Sequence, residues 1–420
     1  MITPFFKLEQ TEEHVVVTIK APNANIRDAE IDFCEKTFIF SAAPYFLRLY
    51  LPGFVGIPEN SSSDYEADSG TFVIKVPKQN KGEEFKDLEM LSELLKPQRP
   101  SGQSNVEELE EEIEGVLADQ KLQKEEESPN LEEIKKFGYG FGWYKMGIMK
   151  KFGEELEDLF AIRNPDEVEI TKRYDIMVKN DEKSFDSEHY LADLFDVPDE
   201  LTQIIKSSLP SNIFTFNDDD RLILKDLKVI KLKRFTAEEN KQIMYSLLDI
   251  LFSYLLDLRI NDWEPNVQSD VMVAKISPSI SNFVRFSTLK DSITSAIRRT
   301  LCYCLYRNFD LCKKELEDLD VILEKGRSCL LHCLLALRKR FYNSSHDFIY
   351  LFNQLFIDDY CIWIQIVDEK VLEQVREELK EIRKSLQKSD ISELDLDYIE
   401  TEAKMIMMKV ENGEYDSDDN

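Results

Sequence analysis

Two periods divide the chain. Over residues 1–96 apolar and polar positions alternate. Residues 14–20 (HVVVTIK) are rich in β-branched side chains, and 37–41 (TFIFS), 45–51 (YFLRLYL) and 71–76 (TFVIKV) alternate, with Pro22-Asn23, Pro44, Pro52-Gly53 and Ser69-Gly70 between them. Successive side chains of a strand point to opposite faces, so short alternating runs broken by turn residues predict an antiparallel β-sandwich. From residue 137 onward the period lengthens to that of a helix. Apolar positions fall at 243, 247, 250, 251, 254, 255 and 258, then at 289, 293, 297, 301 and 305, and at 371, 372, 375, 379, 382 and 386. These stripes, with strongly apolar stretches at 327–341 and 347–366, predict an irregular all-α domain over 137–400. No fixed-length repeat recurs, so the pattern does not support a solenoid.

Between the two lies a change of character. Pro97, Pro100, Ser101 and Gly102 break the chain, and 107–114 reads EELEEEIE. A block of like charges cannot bury itself, so 97–136 is predicted to be an acidic flexible linker and 401–420 an acidic tail. The expected fold class is therefore multidomain: an N-terminal all-β antiparallel sandwich at 1–96 followed by a large all-α domain.

Composition sharpens this picture. Apolar residues make up 43% of the chain, with 26 Phe and 16 Tyr, enough for real cores. The 82 acidic residues exceed the 53 basic ones and give a net charge of −29. Residues 105–134 alone hold twelve acidic and two basic side chains, and 410–420 five acidic and none basic, so the folded parts are only mildly acidic. Such a chain lacks the basic footprint that phosphate-backbone binding needs, and suits a partner whose own surface is basic. The 7 cysteines are odd in number and mostly sit in apolar helical surroundings, which predicts reduced, buried thiols and a cytosolic or nuclear compartment. Met1-Ile2-Thr3-Pro4 leads straight into a strand pattern with no secretory leader, and the apolar run 243–256 is broken by Asp249, so no membrane span is expected.

The chain offers little that asks for catalysis. Cys302-Tyr303-Cys304 has the wrong spacing for a zinc knuckle or redox pair, and Cys329 and Cys333, beside His332, lack a second ligand pair. Gly138-Tyr139-Gly140-Phe141-Gly142 has neither the preceding strand nor the Gly-Lys-Ser/Thr ending of a phosphate loop; its aromatics suggest a segment docked along the helical body. No Gly-x-Ser-x-Gly elbow occurs, and the pairs Arg298-Arg299 and Arg338-Lys339-Arg340 read as solvated faces. Neither an enzyme nor a cofactor is expected.

Particular blocks carry a resemblance. Ile2-Thr3-Pro4-Phe5-Phe6, Phe38-Ile39-Phe40, Pro44-Tyr45-Phe46-Leu47-Arg48-Leu49 with Leu51-Pro52-Gly53, and 70–78 (GTFVIKVPK) resemble the amino-terminal CS domain of the Shq family. Tyr139-Gly140-Phe141-Gly142, Phe185-Asp186 with His189-Tyr190-Leu191-Ala192-Asp193, Arg298-Arg299 through Phe309, and Ile357-Asp358-Asp359-Tyr360-Cys361 with Trp363-Ile364-Gln365 resemble its Shq-specific helical domain. Cys304 stands where that family usually has proline, and Val271 where it usually has tryptophan.

The resemblance implies an assembly chaperone that binds a dyskerin-type pseudouridine synthase before H/ACA ribonucleoprotein assembly and covers its RNA-binding surface. It further implies a monomer of nucleoplasm and cytoplasm, release by RuvB-like ATPases, and no direct nucleic-acid partner. The sandwich alone would also suit a co-chaperone of the large heat-shock ATPase. The expected partner-binding residues are Arg299, Tyr306, Arg307, Asp358, Asp359, Tyr360 and Trp363. Arg299, Tyr306 and Arg307 would line a rim, with Tyr306 and Trp363 as aromatic anchors. Two readings of Asp358 and Asp359 stay open: they face a basic partner, or they pair with those arginines inside the domain. In the sandwich, Tyr45, Phe46 and Arg48 form a second candidate patch, with Tyr45, Leu47 and Leu49 on one face and Phe46 and Arg48 on the other; both aromatics could equally be packing residues.

Overall fold

The computed structural model describes residues 4–21, 29–42, 45–56, 61–66, 70–90, 94, 131–149, 159–227, 232–344, 346 and 349–411. The amino-terminal strands are β1 (Phe5–Gln10), β2 (His14–Lys20), β3 (Glu30–Cys34), β4 (Thr37–Ala42), β5 (Tyr45–Tyr50), β6 (Ser62–Glu66) and β7 (Thr71–Pro77). All pair antiparallel, in one sheet ordered β1-β2-β7-β6 and a second ordered β3-β4-β5. Alternation sets the register: Val15, Val17 and Ile19 from one sheet and Phe38, Phe40, Leu47 and Leu49 from the other are buried between them. Phe40 and Phe72 meet edge-on across this core, with ring centroids 4.9 Å apart. Gly53 of the Leu-Pro-Gly turn has a packing reason, since a Cβ there would lie 2.1 Å from the Phe85 ring.

The helical part comprises α1 (Leu131–Phe137), α2 (Ile170–Ser184), α3 (Ser187–Phe195), α4 (Asp199–Lys206), α5 (Asp218–Asp226), α6 (Ala237–Ile260), α7 (Ser269–Ile276), α8 (Pro278–Ser281), α9 (Leu289–Tyr303), α10 (Phe309–Glu324), α11 (Arg327–Tyr342), α12 (Asp358–Trp363), α13 (Glu369–Ser385) and α14 (Leu396–Glu411). Its axis is α6, opened by a capping box in which Thr236 and Glu239 satisfy each other's backbone amides. Every residue from Ile243 to Arg259 is buried, polar ones included, because α7, α9, α10 and α13 pack around it. A stripe at period 3.6 is therefore only part of what α6 buries.

Some boundaries differ from the sequence reading. Residues 97–130 of the segment read as an acidic flexible linker lie outside the described residues, and 131–136 belong to α1. In the segment read as an acidic tail, 401–411 continue α14, because Met405, Ile406, Met407 and Met408 sustain a helix before the acidic residues begin; 412–420 lie outside the described residues. The two cores are separate, yet the sandwich is tied down. Gln10 Nε2 donates to the Phe85 carbonyl at 2.8 Å, holding the outgoing chain on the sandwich, while Met90 is buried in the helical core and Asp87 pairs with Arg327 of α11.

Candidate partner interface

Arg299 is not on a rim. It is buried on α9, and its guanidinium donates to Asp181 Oδ1 at 2.6 Å and to the Lys275 carbonyl at 2.8 Å. Asp181 also accepts from Arg298 Nε at 3.2 Å and from the Tyr303 hydroxyl at 3.1 Å. One buried carboxylate thus takes two guanidiniums, and Arg298 gains a second anion in Glu393 at 3.1 Å. The arginine pair read as a solvated face is an internal ion cluster instead, because α2 covers this side of α9.

Asp359 is 2% exposed. Its carboxylate lies 2.5 Å from Lys145 Nζ and accepts from the Tyr144 hydroxyl at 3.0 Å; burial, then the adjacent carboxylate, raises the Tyr144 pKa. Asp358 is partly exposed and accepts from Arg338 Nε at 2.6 Å. Both aspartates therefore pair inside the domain, with Lys145 and Arg338 and not with Arg299 or Arg307. Tyr360 and Trp363 are buried too: the Tyr360 hydroxyl donates to the Ile243 carbonyl at 3.2 Å and Trp363 Nε1 to Asn240 Oδ1 at 2.8 Å. Their rings pack on Phe141, at 4.8 and 6.1 Å between centroids. Hence the glycine-rich segment does lie along the body. Gly140, at φ +74°, passes so close to the turn before α12, Asn353–Ile357, that a Cβ would sit 2.7 Å from the Leu355 carbonyl oxygen.

Tyr306 and Arg307 are half-buried at the edge of the helical body, and the residue beside them, which the stripe through 301 and 305 placed inside, is exposed. Leu305 is 61% exposed. α9 stops at Tyr303, Cys304 turns to extended backbone (φ −77°, ψ 160°), and Asn308 caps α10 by accepting from the amides of Asp310 and Leu311. The stripe through 301 and 305 is cut by that stop, so the family's usual proline is not needed for the break. Asn308 ahead of an apolar run was the available signal. The resulting turn is tied on two sides: the Arg307 amide donates to Asp193 Oδ2 of α3 at 2.7 Å, and the Tyr306 hydroxyl bonds Glu200 of α4. Phe195 and Val197, in the connection between those ties, are exposed, as are Asp186, Asp196, Asp199 and Glu200. Leu305 on one side and Phe195 and Val197 on the other are thus exposed on segments that these bonds tie together, and exposed carboxylates at Asp186, Asp196, Asp199 and Glu200 stand on the same segments.

On the sandwich, Leu47 and Leu49 are buried and Arg48 is exposed, with its guanidinium 6.0 Å from the Phe46 ring. Tyr45 is half-buried against the core. Phe46 and Arg48 thus form the outward pair on β5, one of the two edge strands of its sheet, while Tyr45 belongs to the packing. Among the described residues no group of three or more His, Cys, Asp or Glu is arranged to hold a metal, and no helix is long and apolar enough to cross a membrane. His332, between the buried thiols, has Nδ1 2.7 Å from Asp220.

A CS-type sandwich docked on a helical body defines a two-part protein of the CS-plus-helical-domain class. Family models agree part by part: "SHQ1-like, CS domain" matches residues 3–95 and "SHQ1 protein, Shq1 domain" matches 206–395, neither of them a catalytic family. The chain is 38% identical over 435 residues to "Protein SHQ1 homolog" of Caenorhabditis elegans, spanning 100% of this chain and 99% of that one. It is 32% identical to "Protein SHQ1 homolog" of Mus musculus over 98% of this chain and 77% of the relative, and 30% identical to "Protein shq1" of Schizosaccharomyces pombe over 89% and 90%. The chain belongs to the SHQ1 family.

Proposed function

We propose that this protein is an assembly chaperone for a dyskerin-type pseudouridine synthase. It covers the synthase's basic RNA-binding surface before the guide RNA of an H/ACA particle arrives. Family membership supports the class of function. The partner is supported by the exposed Leu305, Phe195 and Val197 on mutually tied segments that also carry exposed carboxylates: exposed apolar anchors give affinity, and the carboxylates select a basic protein and speed encounter. Of the residues first assigned to the contact, Tyr306 and Arg307 remain in it, whereas Arg299, Asp359, Tyr360 and Trp363 act by holding the helical body together. Release through RuvB-like ATPases, a monomeric state, and residence in nucleoplasm and cytoplasm belong to the same proposal. The sandwich has its own outward pair, Phe46 and Arg48, and this favours one further contact, with the large heat-shock ATPase.

The test is a binding measurement with recombinant synthase, heat-shock ATPase and guide RNA side by side. Leu305→Asp is expected to weaken synthase binding at least tenfold with the melting temperature unchanged, and Glu200→Lys to slow association at low salt. Arg48→Ala should spare the synthase. A wild-type chain that ignores the synthase, or that binds guide RNA tightly and salt-dependently, would sink the reading.

A further inference from the structure

A cavity of about 790 Å³ opens between α6, α11 and the connections around Pro210 and Trp263. It shares no lining residue with the surface at Leu305, Phe195 and Val197. α11 presents His332, Ala336 and Arg340 to it, four apart on one face, and α6 presents Tyr254 and Leu258. The turn after α6 supplies a further wall. There Asp262 and Trp263 both take left-handed backbone, at φ 52° and 67°, which glycine adopts freely and a bulky side chain only at a cost. The Trp263 amide closes α6 on the Leu258 carbonyl at 2.6 Å, and the indole becomes cavity wall, with the Arg259 guanidinium 4.9 Å from the ring.

Asp270, near the start of α7, lines the same cavity. It is 5% exposed, and its carboxylate makes no hydrogen bond and no ion pair among the described residues. Its neighbour Asp257 is served differently. Arg340 Nη1 donates to Asp257 at 2.7 Å, and burial above all, with the charge of Asp270 adding to it, pushes Asp257 up to about 6. Arg340 is thus committed to Asp257 and to the face of Tyr254, 5.1 Å away, and Asp270 is left without a counter-charge. A buried carboxylate is costly unless a cation meets it. Here the cavity leaves room for one from outside the chain. The rest of the lining says what carries that cation. Lys339, exposed in the same wall, repels a polycation. Asn212 and Asn343 are also exposed there, and their side-chain amides, unbonded among the described residues, match the N–H and C=O of a peptide bond. Pro265 and the exposed Val267 offer apolar surface beside them.

We propose that this cavity binds an extended segment of a partner protein and takes one lysine or arginine side chain of it against Asp270. The stem of that side chain lies along Trp263, and its charge is shared between the carboxylate and the aromatic wall. The site goes beyond the chaperone reading and does not depend on it.

The full chain, carrying 5-fluorotryptophan, is titrated with blocked pentapeptides, acetyl-Ala-Ala-X-Ala-Ala-amide, in which X is arginine, lysine, norleucine or glutamate, and separately with spermidine. Binding is read from the fluorine resonance of Trp263, assigned by its loss in Trp263→Phe. The arginine and lysine peptides are expected to shift it saturably and to bind at least tenfold more tightly than the other two. Asp270→Asn keeps the shape and removes the charge, and should weaken both at least tenfold. Ala336→Phe fills the cavity with Asp270 in place, and should abolish the shift. The melting temperature of Asp270→Asn should not fall, because the carboxylate has no partner to lose in the free chain. A fall reveals an internal partner and overturns the proposal. So do equal affinities for the arginine and norleucine peptides, or no saturable shift with any of the four. Spermidine binding more tightly than the peptides would assign the cavity to a free polycation. A wild-type dimer in sedimentation that Asp270→Asn dissolves would assign it to a second copy. Either result overturns the proposal as well, and none of these outcomes touches the synthase reading.

Discussion

Asp359 lies between the Lys145 ammonium and the Tyr144 hydroxyl with almost no access to water, and that placement decides what a charge reversal does. Asp359→Lys would set two ammonium groups against each other in a buried site. Breaking a buried pair costs about 3–5 kcal/mol, so the variant should lose that much in urea unfolding, while Asp358→Lys, at a partly exposed pair with Arg338, should lose less. Equal, small losses would contradict the internal-pair assignment. Asp249 gives a pH prediction. It is fully buried in α6, accepts from the hydroxyls of Ser277 and Ser279, and is pushed up to about 7, by burial above all, against the opposing pull of those hydroxyls and of Arg299. Between about pH 4 and 7 the folded chain keeps this proton and the unfolded chain loses it, so stability falls as pH rises through that window. Asp257, at about 6, and Glu315, at about 7, act in the same direction. Asp249→Asn removes one of these contributions. Relative to wild type it should gain on the order of 2–3 kcal/mol between pH 5 and 8, by thermal or urea unfolding at each pH. A constant difference between the two proteins would show that Asp249 does not titrate there.

At the scale of elements, ends matter more than middles. The long stripes at 243–258 and 371–382 were legible because they run through unbroken helices, and Leu386, one residue past the end of α13, still turns inward. The stripe at 289–305 misled, because α9 ends before its last member and turns Leu305 outward. The glycine-rich segment shows how an irregular element is held. Arg173 of α2 is fully buried and donates to the carbonyls of Phe137, Gly138, Pro165, Val168 and Phe283 at 2.6–3.2 Å. The planar fork of five donors serves carbonyls that a lysine ammonium cannot reach together. Arg173→Lys should therefore destabilise the helical body by roughly 2–4 kcal/mol, from buried acceptors left unpaired. It should also red-shift the fluorescence of Trp143, which is buried in the same segment. Unaltered stability and emission would mean that the segment is held by its aromatic rings alone.

Over the whole molecule, the sandwich and the helical body meet through the segment 85–90. Met90 is buried in the helical core, and Asp87 and Arg327 pair across the junction. Lys7 and Asp218 add a contact at 4.0 Å, which exposure makes weak. Met90→Asp with Arg327→Ala should release the sandwich while both cores stay folded. X-ray scattering should then give a larger radius of gyration, and relaxation measurements should show the sandwich tumbling faster than the body. A radius unchanged from wild type would place the junction elsewhere.

Local pattern determined the class and order of the parts. Period two ends and period 3.6 begins where β-branched alternation gives way to apolar stripes, and both periods follow from the geometry of a single element. Alternation likewise settled Phe46 and Arg48 as outward and Leu47 and Leu49 as inward, because a strand in a sandwich has only two faces. What partners each charge was decided by the tertiary structure alone. Arg299 finds Asp181, and Asp359 finds Lys145, across separations of 118 and 214 residues in sequence, distances over which no periodicity carries information. Whether a helix face looks inward or outward depends on which neighbours cover it. Hence the arginines of α9 are buried under α2, while the methionines of α14 stand clear of the body.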